Sequence, residues 1–206
     1  NGREDPLALL VRQLAARPFG EMVGRLERAL ERWSADRGQR TQLVCTGGDT
    51  PIPDAVARTL NSALTQLLRN SVVHGLESPA DREGANKPRV GLVTLHCRRT
   101  PDGLFLHFSD DGRGLDLKAL ETQARRSGLR TPCENPGDLI FESGLSTLET
   151  SDEMAGRGVG MAAVRTDLAQ LGYAIQVQTT SGQGTSFAIG PAGCAAEPPE
   201  KDLDVA

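Results

Sequence analysis

Apolar residues recur at helical spacing over residues 19–37, through Met22, Val23, Leu26, Leu30 and Trp33, and Gly38 stands where such a helix would stop. Residues 6–16 carry the same spacing. A short strand is expected at 42–45. The Gly47–Gly48–Asp49 turn, Pro51 and Pro53 then lead into a long helix expected from about 54 to 74, with Asp54 in its first turn and Gly75 at its end. The pattern next switches to alternation in residues 90–98 (VGLVTLHCR) and 104–109 (LFLHFS), on either side of Thr100–Pro101–Asp102–Gly103, which predicts a β-hairpin. A helix from 117 to about 127, a helix over 159–171 and closing strands at 173–179 and 185–189 complete the pattern. Residues 129–157 show little periodicity and are rich in Gly, Pro, Ser and Thr, the signature of a lid or binding loop in a compact domain. From Ala192 onward the residues are small, charged and interspersed with Pro, and disorder is expected.

Composition narrows this picture. The chain has 206 residues, 38% of them hydrophobic and 24% charged, which is the profile of one ordinary globular domain. With aromatics at only 3%, the core must be built mainly from Leu, Val, Ala and Ile, which suits helices packed on a sheet. A net charge of −4, with Arg scattered among Asp and Glu, provides no basic block to neutralise a phosphate backbone, so nucleic acid is not an expected partner. Cys45, Cys97, Cys133 and Cys194 lie too far apart for a metal-binding pattern and read as reduced thiols. No apolar run is long enough to span a bilayer, and a cytoplasmic location is expected. The first residue is Asn1, which points to a piece of a longer chain.

Three segments place glycines where a backbone would approach something closely: DDGRGLD at 110–116, GRGVGM at 156–161 and SGQGTSF at 181–187. Glycine permits positive φ and lacks a Cβ, so successive N–H groups can converge on an anion, and GRGVGM runs directly into a helix whose N-terminus favours phosphate. Taken singly, each is equally explained as a tight turn. A dinucleotide fold is excluded by order, because GRGVGM comes late and follows a long loop, and no P-loop Gly-Lys-Ser/Thr occurs. On the long helix Gln66 and Asn70 share a stripe at i, i+4 and can face a common ligand. Asn is poorly suited to a helix interior unless its amide has a task, either as a magnesium ligand or satisfied by neighbouring backbone. His74 at the helix end reads as a dipole-favoured cap or as a phosphate contact.

The order and separations of LLRNSVVHGLESPADR (67–82), DDGRGLD (110–116), IFESGLST (140–147), GRGVGMAAV (156–164) and GQGTSF (182–187) resemble the Bergerat ATP-binding fold of gyrase, Hsp90, histidine kinases and MutL. Within that group the chain is most similar to the catalytic domain of CheA-type chemotaxis histidine kinases, over about 120 residues with a weaker likeness back to Pro18. The resemblance implies an α+β fold: a mixed, mostly antiparallel sheet covered on one face by helices, with an ATP lid. It implies a domain over 18–191, preceded by a helical segment or linker over 1–17 and followed by a tail over 192–206. It implies ATP and Mg2+ as ligands. Asn70 would hold the metal, with Arg69 and His74 beside it. Asp110 would accept from the adenine amino group, helped through a water by Thr185. Gly112 and Gly114 would clear room for the base, while Gly156, Arg157, Gly158, Val159, Gly160 and Met161 would form the phosphate end of the lid. Phe141, Ser146 and Thr147 match the hinge before it.

Where the family has His or Glu, this chain has Gln66, and two further family acids are replaced at Val73 and Ala162. Gln cannot take a proton near neutral pH, which argues against activation of water and hence against a non-kinase ATPase. Transfer to a histidine is less affected, since neutral imidazole already offers a lone pair that the Gln66 carbonyl can orient. Two readings follow: a kinase that phosphorylates a histidine on a separate phosphotransfer domain and so feeds a response regulator, with a homodimer allowed in the full-length protein, or a nucleotide-binding module with little turnover. His74 belongs to the nucleotide helix, and His96 and His107 fall in expected strands, so none of these three is an exposed acceptor on a helical bundle.

Overall fold

The computed structural model describes residues 16–128, 135–142 and 160–194. Its centre is a five-stranded sheet in the order β2–β4–β5–β7–β6, formed by β2 (Thr41–Thr46), β4 (Gly91–Thr100), β5 (Gly103–Asp110), β6 (Tyr173–Thr180) and β7 (Gly184–Pro191). Only β2 and β4 run parallel, and the other three pairings are antiparallel. The sheet is therefore mixed and mostly antiparallel, as expected. A two-residue ribbon, β1 (Arg17–Pro18) with β3 (Pro51–Ile52), closes the entrance to the first two helices.

Strict alternation sorts the sheet into two faces. On one face Leu95, Phe108 and Phe187 lie in register, followed by Cys97, Leu106 and Ile189, and all six are buried. Helix α1 (Phe19–Asp36), helix α2 (Asp54–Asn70) and helix α5 (Met161–Gln170) cover that face, because their apolar stripes have the spacing needed to meet it. Phe19, Leu26 and Leu30 of α1 and Leu64, Leu67 and Leu68 of α2 are 3% exposed or less, and each contributes about 1.5–3 kcal/mol by leaving water. Four of the five phenylalanines lie in this core, and the fifth, Phe105, is buried on the opposite face beneath Arg98. The opposite face is polar, and there His96 and His107 are cross-strand neighbours, with Thr46 Oγ1 2.6 Å from His96 Nδ1.

Element ends follow the expected boundaries closely, with three differences. The long helix is not α-helical to His74: after Asn70 the chain makes a π-turn over Ser71–Gly75, in which Leu76 N–H donates to Ser71 O at 2.7 Å. Gln39 makes that turn affordable by donating from Nε2 to the carbonyls of Val72 and Leu76 (2.9 and 2.7 Å). Second, a short helix α3 (Pro79–Gly84) follows, with Ser78 capping Asp81 N–H and Pro79 in its first turn. Third, within the stretch expected to be irregular, Pro136–Phe141 forms a 3-10 turn packed against helix α4 (Leu117–Arg126). Residues 6–15, the remainder of 129–157 apart from 135–142, and the tail from 195 lie outside the described residues. No described helix is long and apolar enough to cross a membrane.

Candidate functional site

The helix-covered face of the sheet ends in a polar pair. Asp110 closes β5 directly opposite Thr185 of β7, in the same side-chain layer as Val93. The alternation that makes the rest of this layer apolar thus delivers a carboxylate and a hydroxyl to the edge of the core, where α2 also ends. Asp110 is only 7% exposed and Thr185 6%. The π-turn brings Ser71 over them, and its hydroxyl donates to Asp110 Oδ2 at 2.7 Å. Gly112 N–H donates to Asp110 Oδ1 at 3.0 Å. The carboxylate still has lone-pair capacity for one further donor.

Burial pushes the Asp110 pKa above the usual carboxylate range. The hydrogen bonds from Ser71, Gly112 and Thr185 oppose that rise, and the neighbouring Asp111 charge adds to it. Asp110 is therefore held as a partly desolvated acceptor, the state in which a hydrogen bond to a ligand amine counts most.

The glycines have identifiable tasks. A Cβ on Gly112 would collide with the Gly75 carbonyl, and one on Gly75 would lie 3.2 Å from Asp110 Oδ1. Gly184, at φ +110°, leaves room for the Asp110 carbonyl, and Gly114, at φ +76°, passes close to Thr180 O. Arg113 N–H donates to Gly75 O (2.9 Å) and Gly182 N–H to Arg113 O (2.8 Å), so the acidic turn, the end of α2 and the β6–β7 hairpin are sewn together by backbone. Thr179 adds a bond from Leu115 N–H at 2.9 Å and stands 3.3 Å from the Thr185 hydroxyl.

One turn back along α2, Gln66 Nε2 donates to Asn70 Oδ1 at 3.3 Å, so the two amides do share a stripe. Both residues are partly exposed. His74 lies on the π-turn and stays open to solvent on one side. Crowding by the surrounding chain, then the charges of Arg37 and Arg113, hold its pKa below the ordinary imidazole value. Arg69 is engaged elsewhere: its guanidinium carbon sits 5.2 Å from the ring centroid of Trp33 on α1, and its buried Nε has no hydrogen-bond partner among the described residues. Phe141 is a core residue, 2% exposed, with its ring 6.5 Å from Phe187 and the Arg165 guanidinium 5.3 Å from its face. Gly160 precedes α5 with no side-chain cap and Met161 is buried beneath it. Ser146, Thr147, Gly156, Arg157, Gly158 and Val159 lie outside the described residues.

Sequence reading missed Ser71, Thr179 and the ionic cluster of Glu77, Arg82, Lys87 and Asp111. Arg82 is fully buried and pairs with both Glu77 and Asp111. The signal was present, since Ser-Pro-Ala-Asp predicts a capped helix at 78–81 that would turn Arg82 inward.

The residues fit a nucleotide. A buried carboxylate with acceptor capacity to spare sits beside glycines whose missing Cβ atoms let the surrounding backbone close tightly around it. The neighbouring donor set is neutral amide oxygen, which suits a magnesium ion that keeps most of its waters and takes its other ligands from phosphate. Among the described residues no cluster of three His, Cys, Asp or Glu competes as a metal site.

Comparison with known proteins agrees. The sequence profile of the histidine kinase-, DNA gyrase B-, and HSP90-like ATPases matches residues 55–192. Chemotaxis protein CheA of Halobacterium salinarum is 32% identical over 179 residues, 84% of this chain and 27% of that protein. The gliding motility regulatory protein of Myxococcus xanthus is 31% identical over 179 residues, 84% of this chain and 23% of that protein. The chain thus spans about a quarter of the length of the curated relatives it matches. The solved histidine kinase AdeS of Acinetobacter baumannii superposes with a TM-score of 0.51 at 16% identity, covering 84% of this chain and 64% of that one, a likeness of fold. The chain belongs to the histidine kinase-, DNA gyrase B- and HSP90-like ATPase family, and over most of its length it is similar to the CheA-type chemotaxis kinases.

Proposed function

We propose that this domain binds Mg-ATP at the end of α2 and transfers the γ-phosphate to a histidine on a separate phosphotransfer domain, from which a response regulator is charged. The observation that carries the reading is the buried Asp110 carboxylate, framed by Ser71, Gly112 and Thr185. Asp110 accepts from the exocyclic amine of adenine, and Thr185 reaches the same base through a water. Gly112 and Gly114 let the acidic turn close against Gly75 and Thr180, which holds Asp110 in place for the ring. Asn70 holds the magnesium ion, which when bound neutralises phosphate charge during transfer. Gln66 orients the incoming imidazole by accepting from its remote ring N–H, while His74 contacts the phosphate chain. Residues 18–191 form the catalytic unit. The acceptor is supplied from outside it: His96 and His107 are part-buried on the sheet, and His74 belongs to the site.

A second reading is favoured by one contact. The Gln66 NH2 group donates to Asn70 and its neutral amide cannot act as a base, which suits a module that binds nucleotide without rapid turnover and signals through its lid.

Calorimetric titration with ATP, with and without magnesium, is paired with a label-transfer assay from γ-labelled ATP to a phosphotransfer domain of a chemotaxis-type kinase. Binding and transfer are expected. Binding without transfer to any such domain selects the second reading, and absence of ATP binding overturns both.

A further inference from the structure

Two acids stand side by side at the end of β5 and face opposite ways. Asp110 turns into the cleft, while Asp111 turns back beneath the sheet edge and is held there by an unusually complete set of donors. Arg82 grips it bidentately (Nη1 to Oδ1 at 3.1 Å, Nη2 to Oδ2 at 2.6 Å), and Leu92 N–H adds a bond at 2.8 Å. The same guanidinium reaches Glu77 Oε2 at 3.1 Å and Pro88 O at 2.6 Å. Lys87 completes the cluster, donating to Glu77 Oε1 (2.8 Å) and to the carbonyls of Asp111 (2.9 Å) and Gly112 (2.7 Å). Two cations thus balance two carboxylates under the turn whose Gly112 N–H supports Asp110.

Stability alone explains this arrangement poorly. Arg82 has no exposed side-chain surface, and well-packed apolar residues usually fill such space at equal or better stability than an ion cluster. What the cluster adds is direction and charge. It fixes the backbone carbonyls of 111 and 112 downward, which leaves the N–H of Gly112 aimed at Asp110. It also cancels the negative charge of Asp111 one residue from the acceptor.

We propose that Arg82 and Lys87 are positioning residues for nucleotide recognition, clamping the 110–112 turn and neutralising Asp111 so that Asp110 stays an ionised acceptor for the base. This rests on the reading of Asp110 given above. The charged or titratable groups around the acceptor are Asp111 on its own turn, Arg82 of α3, Lys87 of the following loop, Glu77 and His74 at the end of the α2 region, and Arg113 after the turn. The β6 and β7 side contributes only the neutral Thr179 and Thr185. The Asp111 charge already raises the Asp110 pKa, so exposing more of it moves that pKa further up.

The test is ATP titration by calorimetry from about pH 4, near the ordinary carboxylate range, to about pH 8. It compares the wild-type chain with Lys87→Gln, Arg82→Met and the charge-balanced Lys87→Gln/Glu77→Gln, with thermal melts to establish folding. Lys87→Gln leaves two carboxylates facing one guanidinium. Its acid midpoint for ATP binding is expected to rise by about one pH unit, with affinity falling about twofold at the new midpoint, approaching a tenfold loss below the wild-type midpoint, and converging on wild type at the alkaline end. The double variant is expected to restore the midpoint. A folded Lys87→Gln with the wild-type midpoint overturns the proposal, as does a uniform loss at every pH that the double variant does not repair. If Arg82→Met does not fold, the two Lys87 variants decide alone. Absence of ATP binding by the wild-type chain overturns the Asp110 reading and this role with it. Binding that Asp110→Asn abolishes while the Lys87→Gln midpoint stays put overturns this role only.

Discussion

The two ends of the cleft are built to different standards. At the Asp110 end nearly every polar atom is spoken for: a buried carboxylate, two direct donors, a cross-strand threonine, and glycines whose missing Cβ atoms are occupied by neighbouring backbone. At the Asn70 end a single 3.3 Å hydrogen bond joins two partly exposed amides, and His74 stands open beside them. A flat base is recognised by one fixed geometry, so rigidity there costs nothing in function. Phosphate groups and their metal must be gripped, rearranged and released, and a stiff site would hinder that.

The contrast ranks the expected effects of mutation. Asp110→Asn is the largest: ATP affinity measured by calorimetry falls by about 100-fold or more, because an amide presents an N–H where the base also presents one. Its effect on stability has the opposite sign. A raised folded-state pKa contributes stability that is present below the ordinary Asp pKa and lost as pH rises through the raised value. The ionised group is therefore a cost at neutral pH. Asp110→Asn is expected to melt no lower than wild type at pH 7 without nucleotide, with any advantage vanishing in acid. A lower melting temperature at pH 7 would show that the carboxylate is structural.

Gly184→Ala comes next. A Cβ there strikes the Asp110 carbonyl at a φ of +110°, and about 3 kcal/mol of stability is expected to go, read as a lowered denaturant midpoint together with weaker ATP binding. The same change at Gly160, whose Cβ would meet none of the described residues within 4 Å, is the control that leaves the melting temperature in place.

Asn70→Ala should leave magnesium-free nucleotide binding nearly intact and remove most of the gain that magnesium brings, about tenfold. Equal losses with and without the metal would show that the looser end is as strictly organised as the tighter one. The smallest structural change, Gln66→Glu, restores an acid found in other family members and is expected to raise ATP turnover while moving the melting temperature by about 1 °C or less, a surface-sized effect. Unchanged turnover would place the limitation outside position 66.

The site was legible in proportion to how local its geometry is. Gln66 and Asn70 follow from helical spacing, and the hairpin that carries Asp110 follows from alternation around Pro101 and Asp102, because both are set by neighbours a few residues away. The π-turn was not legible. Its freed carbonyls are satisfied by Gln39, 33 and 37 residues earlier in the chain, and nothing in SVVHG itself announces it. Arg69 shows the same limit: its place beside Asn70 in sequence says nothing of Trp33, which captures its guanidinium. Phe141 was expected at a hinge and lies in the core, where Phe187 and Arg165 enclose it.

By itself the sequence determined the elements, the inward and outward faces of the sheet, and the glycine and acid motifs that mark the family, since periodicity and backbone sterics act within one turn or one strand pair. Tertiary structure alone decided which of two adjacent carboxylates was left unpaired by any cation, as the proposed acceptor requires. Asp110 and Asp111 are chemically identical. They differ because alternation sends one into a layer closed by Ser71 and Thr185, while a buried arginine arriving from the next helix claims the other and neutralises it.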